Sequence, residues 1–162
     1  MKKIIAGVIG LLILAAILLS RFYIAVQNDQ WTVQAQAAET VTQNTYISQV
    51  TRIESFRGDQ AFTIVFGKDF AGKDGVAWVG DDELHMEYLG EGGGVTEDYV
   101  RNLTSQKGTD VEIKRVLPGK LDGEYVWEVF YKRDDANGSR FYYDYYRFQD
   151  GAPIDTWKLS KQ

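Results

Sequence analysis

The chain opens on an unbroken apolar run, Ile4 to Leu19, behind Met1, Lys2 and Lys3. Ser20 and Arg21 interrupt it, and Phe22, Tyr23, Ile24, Ala25 and Val26 extend it. Beyond Val26 the pattern turns polar, acidic and punctuated by glycine. At about 1.5 Å per residue, a helix over Ile4–Leu19 covers roughly 24 Å, and one reaching Val26 roughly 34 Å. The longer stretch bridges a hydrocarbon core of about 30 Å, with Arg21 snorkelling and Phe22 and Tyr23 at the interface. Lys2 and Lys3 predict a cytoplasmic N-terminus, which puts residues 27–162 outside. A cleaved signal peptide would begin the same way. Its candidate site, Ala35-Gln36-Ala37, lies far beyond Leu19, so the expectation is an uncleaved, single-pass anchor over residues 1–26.

The outer part alternates between helical and strand patterns. Asn28 to about Tyr46 holds no Gly or Pro, and Trp31, Ala35, Ala38, Val41 and Thr45 recur at helical spacing. This predicts a helix that packs on the sheet after it. Val50–Phe56, Ala61–Phe66, Val76–Val79 and Leu84–Leu89 then read as four strands of a meander. Phe62, Ile64 and Phe66 share one face of the second strand. Gly90-Glu91-Gly92-Gly93-Gly94 reads as a flexible boundary. Thr96 caps a second helix whose apolar face is Tyr99, Val100 and Leu103, and Lys107-Gly108 ends it. Val111–Leu117 (stopped by Pro118-Gly119), Tyr125–Lys132, Phe141–Phe148 and Ile154–Leu159 complete a second set of strands. Tyr125, Trp127, Val129 and Tyr131 line one face of the most regular of these.

The two sets match at an offset of 65 residues. Gly58-Asp59 falls on Gly123-Glu124, and Phe62, Ile64 and Phe66 fall on Trp127, Val129 and Tyr131. Ala35 and Ala38 fall on Val100 and Leu103. One offset that relates helix, turn and strands predicts a duplication. The fold class expected is α+β: two tandem units, residues 27–90 and 95–162, each one helix on a four-stranded antiparallel sheet. Each unit alone has a thin core, so the pair should pack rigidly.

Charge narrows the partners. All 23 Asp and Glu follow the anchor, whereas three of the 18 Lys and Arg precede residue 27. The outer part thus carries 15 basic against 23 acidic groups, a net −8. Such a surface repels nucleic acid and tolerates basic partners. With no Cys there are no disulfides, and their absence from an exported domain fits a Gram-positive bacterium.

Candidate chemistry is sparse. His85 is the only His, so neither a His-based metal cluster nor a Ser-His-Asp triad can be assembled, and His85 reads as a surface or edge residue. Asp81-Asp82-Glu83 and Asp134-Asp135 read as solvated turns without calcium-loop spacing. No catalytic residue, cofactor site or metal site is predicted. The surplus is aromatic. Phe141, Tyr142, Tyr143, Tyr145, Tyr146 and Phe148 occupy both faces of one strand, more than a single-sided sheet needs. One face is expected either to pack on the other half or to meet a partner, protein or sugar. Because Asp144 shares their side, Tyr142, Tyr146 and Phe148 are the expected outward, partner-binding set.

Several motifs resemble a known family. Ile53-Glu54-Ser55-Phe56-Arg57-Gly58, Phe62-x-Ile64, Gly67, Gly75 and Ala77-Trp78-Val79 resemble the first repeat of the TseB-like, or YpmB-like, family of cell-wall elongation regulators. Trp127-Glu128-Val129-x-Tyr131 and Phe148-x-x-Gly151 resemble the second. The resemblance implies tandem PepSY-like, cystatin-like domains on a membrane anchor. It also implies a non-enzymatic regulator of peptidoglycan synthesis that binds a class B penicillin-binding transpeptidase. It brings no catalytic residues. The aromatic Phe141–Phe148 strand and the acidic balance depart from the family. Two other functions remain open on the residues alone: a PepSY-type inhibitor or sensor of an exported protease, and a wall-glycan-binding module.

Overall fold

The computed structural model describes residues 14–18, 21, 31–135 and 138–160. The anchor expected over 1–26 lies outside these, apart from 14–18 and 21, which are helical. Among the described residues no helix is long and apolar enough to cross a membrane. The chain divides into two compact units, Met1–Gln36 and Ala37–Gln162. Both sheets belong to the second.

Residues 31–44 form a helix, α1. Four strands follow, β1 (Gln49–Arg57), β2 (Ala61–Lys68), β3 (Asp74–Val79) and β4 (Leu84–Tyr88), then helix α2 (Glu97–Ser105). The last four strands are β5 (Val111–Leu121), β6 (Glu124–Asp135), β7 (Gly138–Arg147) and β8 (Pro153–Lys158). Each set of four forms its own antiparallel meander, in the orders β1-β2-β3-β4 and β5-β6-β7-β8. The fold is α+β with two four-stranded antiparallel sheets.

Strand alternation splits the first sheet cleanly between two cores. Val65 and Ala77 turn towards α1, where Ala37 and Val41 meet them together with Ile47. The buried pair on α1 is therefore Ala37 and Val41, spaced i,i+4, while Trp31 at the start of the expected stripe is exposed. Phe56, Phe62, Ile64, Phe66, Val76 and Trp78 turn the other way. They share one core with Val100 of α2 and with Trp127, Val129, Tyr131, Tyr146 and Phe148 of the second sheet. Gly119 permits the close approach of the two sheets, because a Cβ there would lie 2.2 Å from the Phe56 ring.

α2 starts as expected: the Thr96 hydroxyl accepts the Tyr99 N–H at 3.3 Å, and Glu97 and Asp98 complement the helix dipole. β5 runs past the expected stop. Pro118 pairs opposite Trp127 inside the strand, and Asp122-Gly123, both at positive φ, makes the two-residue turn into β6. Proline is tolerated there because β5 is an edge strand.

The Gly90–Gly94 stretch is also a correction. It is a hydrogen-bonded turn, not a loose connection: the Gly90 N–H donates to Gly94 O at 2.8 Å, and the Gly94 N–H to Tyr88 O at 2.9 Å. The Val95 N–H continues onto Phe148 O at 2.9 Å, tying the turn to the second sheet. Tyr142, Tyr146 and Phe148, expected to face outwards, face this core instead. Tyr146 and Phe148 are buried within it, and Tyr142 packs against it half-buried.

Candidate interaction surface

The orientation of β7 is decided by Asp144. Its carboxylate is 1% exposed, yet fully engaged. The Lys107 ammonium donates to it at 2.7 Å, the Thr156 hydroxyl at 2.7 Å, and the hydroxyls of Tyr146 and Tyr131 at 3.2 and 3.3 Å. Thr104 of α2 joins through the Tyr146 hydroxyl at 3.0 Å. A buried acid is stable only when paired and hydrogen-bonded, and here it is both. Burial and the Asp144 charge push the Tyr131 hydroxyl well above the usual tyrosine range. Asp144 thus marks the inward face, and the partner-binding set expected on its side is turned away from solvent.

The opposite face of the second sheet holds the other aromatics. Register places Arg115, Phe130, Tyr143 and Trp157 directly opposite one another across β5, β6, β7 and β8, one continuous row over four strands. Phe141 and Tyr145 flank Tyr143 along β7 on the same face. The rings pack on each other: Phe130 stacks on Tyr143 at 4.7 Å and on Phe141 at 5.3 Å, and Tyr145 meets Trp157 edge-on at 5.0 Å. None of these five aromatics belongs to either core. Phe141 and Trp157 are 38% and 46% exposed.

Polar groups fix this face. Glu128, buried beneath it, accepts from Arg115 at 2.6 Å and from the Tyr145 hydroxyl at 3.2 Å. Burial and Glu128 together push the Tyr145 hydroxyl far above its ordinary range, so it remains a donor. Asp155 accepts from the Trp157 indole at 2.6 Å and so orients that ring. The result is an immobilised patch of Trp, Tyr, Phe and Arg, the residue types that dominate binding energy at protein interfaces. Phe130 and Trp157 were not among the residues expected to bind a partner. The signal for Phe130 was present, since it alternates with Glu128 and Lys132 on the less apolar side of β6.

The remaining sequence candidates lie elsewhere, at the junction of the sheets. Glu83 accepts from Lys120 at 2.7 Å and from the Tyr125 hydroxyl, joining the β3–β4 turn to the second sheet. His85 on edge strand β4 stacks on Tyr125 at 4.0 Å and 10°, and its Nε2 lies 3.1 Å from Glu87. These contacts are structural. They hold one sheet to the other and leave the acids of the Asp81-Asp82-Glu83 turn unequal in role.

Residues 36–80, from α1 through β3, match a family model described as a cell wall elongation regulator TseB-like domain. A solved structure, the YpmB protein from Bacillus subtilis, has the same fold over 77% of this chain and 96% of its own, at 23% identity and a TM-score of 0.65. No curated protein matches the sequence. The motifs at Ile53–Gly58 and Ala77–Val79 fall inside the matched segment, so residues 36–80 are similar to a cell wall elongation regulator TseB-like domain, and the likeness beyond them is one of fold.

Proposed function

We propose that this protein regulates peptidoglycan synthesis during elongation by docking on a class B penicillin-binding transpeptidase, without chemistry of its own. Residues 1–26 would hold it in the membrane with the N-terminus cytoplasmic and residues 27–162 outside, as two PepSY-like units. Anchoring both partners in one thin layer raises their effective concentration, so a modest interface is enough. The single observation that carries the reading is the Arg115–Phe130–Tyr143–Trp157 row on a face that neither helix covers. The net −8 of the outer part favours a basic patch on the partner, which acts on encounter rate more than on final affinity.

The test replaces Tyr143 and Trp157 with Ser in the full chain and measures in-cell crosslinking to the transpeptidase. The expected result is strong crosslinking of the wild type and its loss in the double variant, with the fold retained by circular dichroism. Unchanged crosslinking of the folded variant would move the interface off this face. A wild type that crosslinks to an exported protease instead would favour the PepSY-type sensor. Retention on purified peptidoglycan glycan strands, lost with Trp157, would favour a wall-glycan module.

A further inference from the structure

The second sheet ends in a free edge. β8 pairs with β7 on one side and with nothing among the described residues on the other. All six of its residues are exposed. The Leu159 N–H donates to Phe141 O at 3.0 Å, which sets the alternation of the ladder. Trp157, opposite Tyr143, therefore bonds inwards to β7. Thr156 and Lys158, opposite Asp144 and Tyr142, turn their backbone N–H and C=O groups outwards. The edge is apolar on both sides, with Ile154, Trp157 and Leu159 at 39%, 46% and 41% exposure. Pro153 and Lys158 lie at its two ends, and between them Asp155 guards the edge, its Oδ1 accepting the outward Thr156 N–H at 2.7 Å.

Resting on the docking reading above, we infer that the partner engages this edge by strand addition. An extended segment of the partner pairs its backbone with Thr156 and Lys158 and displaces the Asp155 carboxylate. Its side chains on one face extend the Phe130–Tyr143–Trp157 row. Outward backbone groups specify this occupant in a way that an apolar face alone cannot, because only another extended backbone satisfies them in series. The chemistry asked of the segment follows from the faces. Positions beside Trp157 and Leu159 are apolar, and the position beside Lys158 on the other face is acidic or polar.

A second copy of this chain is a poorer occupant. A two-fold axis normal to the sheet keeps each face on its own side, so Asp155 could meet only Asp155, Trp157 or Leu159 of the other copy. Lys158, its natural counter-charge, stands on the opposite face. Two outer parts of net −8 would also repel.

Thr156→Pro removes the outward N–H and leaves the β7 ladder intact, because that N–H does not bond to β7. Thr156→Ala is its control, since it removes the hydroxyl that bonds Asp144 and keeps the N–H. The probe is the purified extracytoplasmic domain of the class B transpeptidase, titrated against the full chain in detergent. Thr156→Pro should bind at least about tenfold more weakly than Thr156→Ala, as expected when a buried acceptor loses its donor. In the wild-type complex, hydrogen exchange should slow at the Thr156 and Lys158 amides. Equal binding by both variants, or no added protection of those two amides, overturns strand addition while docking survives. Absence of binding by every form overturns docking, and strand addition with it. A partner-free dimer broken by Thr156→Pro would replace the partner segment with a second copy.

Discussion

The Lys107 ammonium, on the turn after α2, lies 2.7 Å from the carboxylate of Asp144 on β7. Burial alone would lower the Lys107 pKa, but the hydrogen bond and charge of Asp144 outweigh it and hold it above the ordinary lysine value. A raised folded pKa contributes stability fully below the unfolded value and loses it as pH rises through the folded one. The pair should therefore hold through neutral pH and weaken only above the usual lysine range of about 10.4. Asp144→Ala should cost about 3 kcal/mol by urea denaturation at pH 7, the low end for breaking a buried pair, since Lys107 reaches solvent. A loss under about 1 kcal/mol would mean that the network is dispensable.

Glu83 should set the acid limit of the contact between the sheets. The Lys120 hydrogen bond, with that from Tyr125, holds its carboxyl below the ordinary glutamate range. A depressed folded pKa gives stability that is present above the unfolded value and lost as pH falls through the folded one. Between pH 5 and pH 3, Glu83→Gln should show a flatter fall in melting temperature than the wild type. Parallel curves would show that Glu83 is not the responsible group.

Trp127→Ala should cost about 3–5 kcal/mol, the usual range for deleting a buried Trp. Trp127 is fully buried, donates from Nε1 to Val95 O at 3.0 Å and stacks on Phe148 at 5.6 Å. The hydrogen bond joins the second sheet to the turn before α2, and the stack ties β6 to the end of β7. The loss should appear as one cooperative transition in chemical denaturation, with the whole of Ala37–Gln162 affected.

Gly94→Ala should destabilise by about 1–3 kcal/mol, the range for overpacking. A Cβ there would sit 2.2 Å from the Phe148 ring and 2.8 Å from its carbonyl oxygen, so backbone as well as side chain must move. Gly72→Ala is the informative contrast: its φ is +84° and nothing lies within 4 Å, so any cost there comes from backbone strain alone. Thermal denaturation of both variants separates crowding from conformation. An unaffected Gly94→Ala would restore a loose connection between α2 and the first sheet.

The alternations Phe62-Ile64-Phe66 and Trp127-Val129-Tyr131, the Thr96 cap and the meander order of each set of strands were all legible in the chain. Each is a local matter: side-chain period, a cap hydroxyl three residues from its N–H, or turn residues between apolar runs. The strand limits were less so, because Pro118 stops a central strand but not an edge one, and edge status depends on the whole sheet. The orientation of β7 was not legible at all. Phe141, Tyr143 and Tyr145 alternate with Tyr142, Tyr146 and Phe148, so burial of apolar area ranks the two faces nearly alike. A charged residue seemed to mark the outside, yet Asp144 points in, because Lys107, 37 residues earlier, and Thr156, 12 later, meet it there. The row from Arg115 to Trp157 likewise exists only once four strands lie in register. Local periodicity decides which residues share a face, while long-range pairing of charge and backbone decides which face meets the core and which stays outside it.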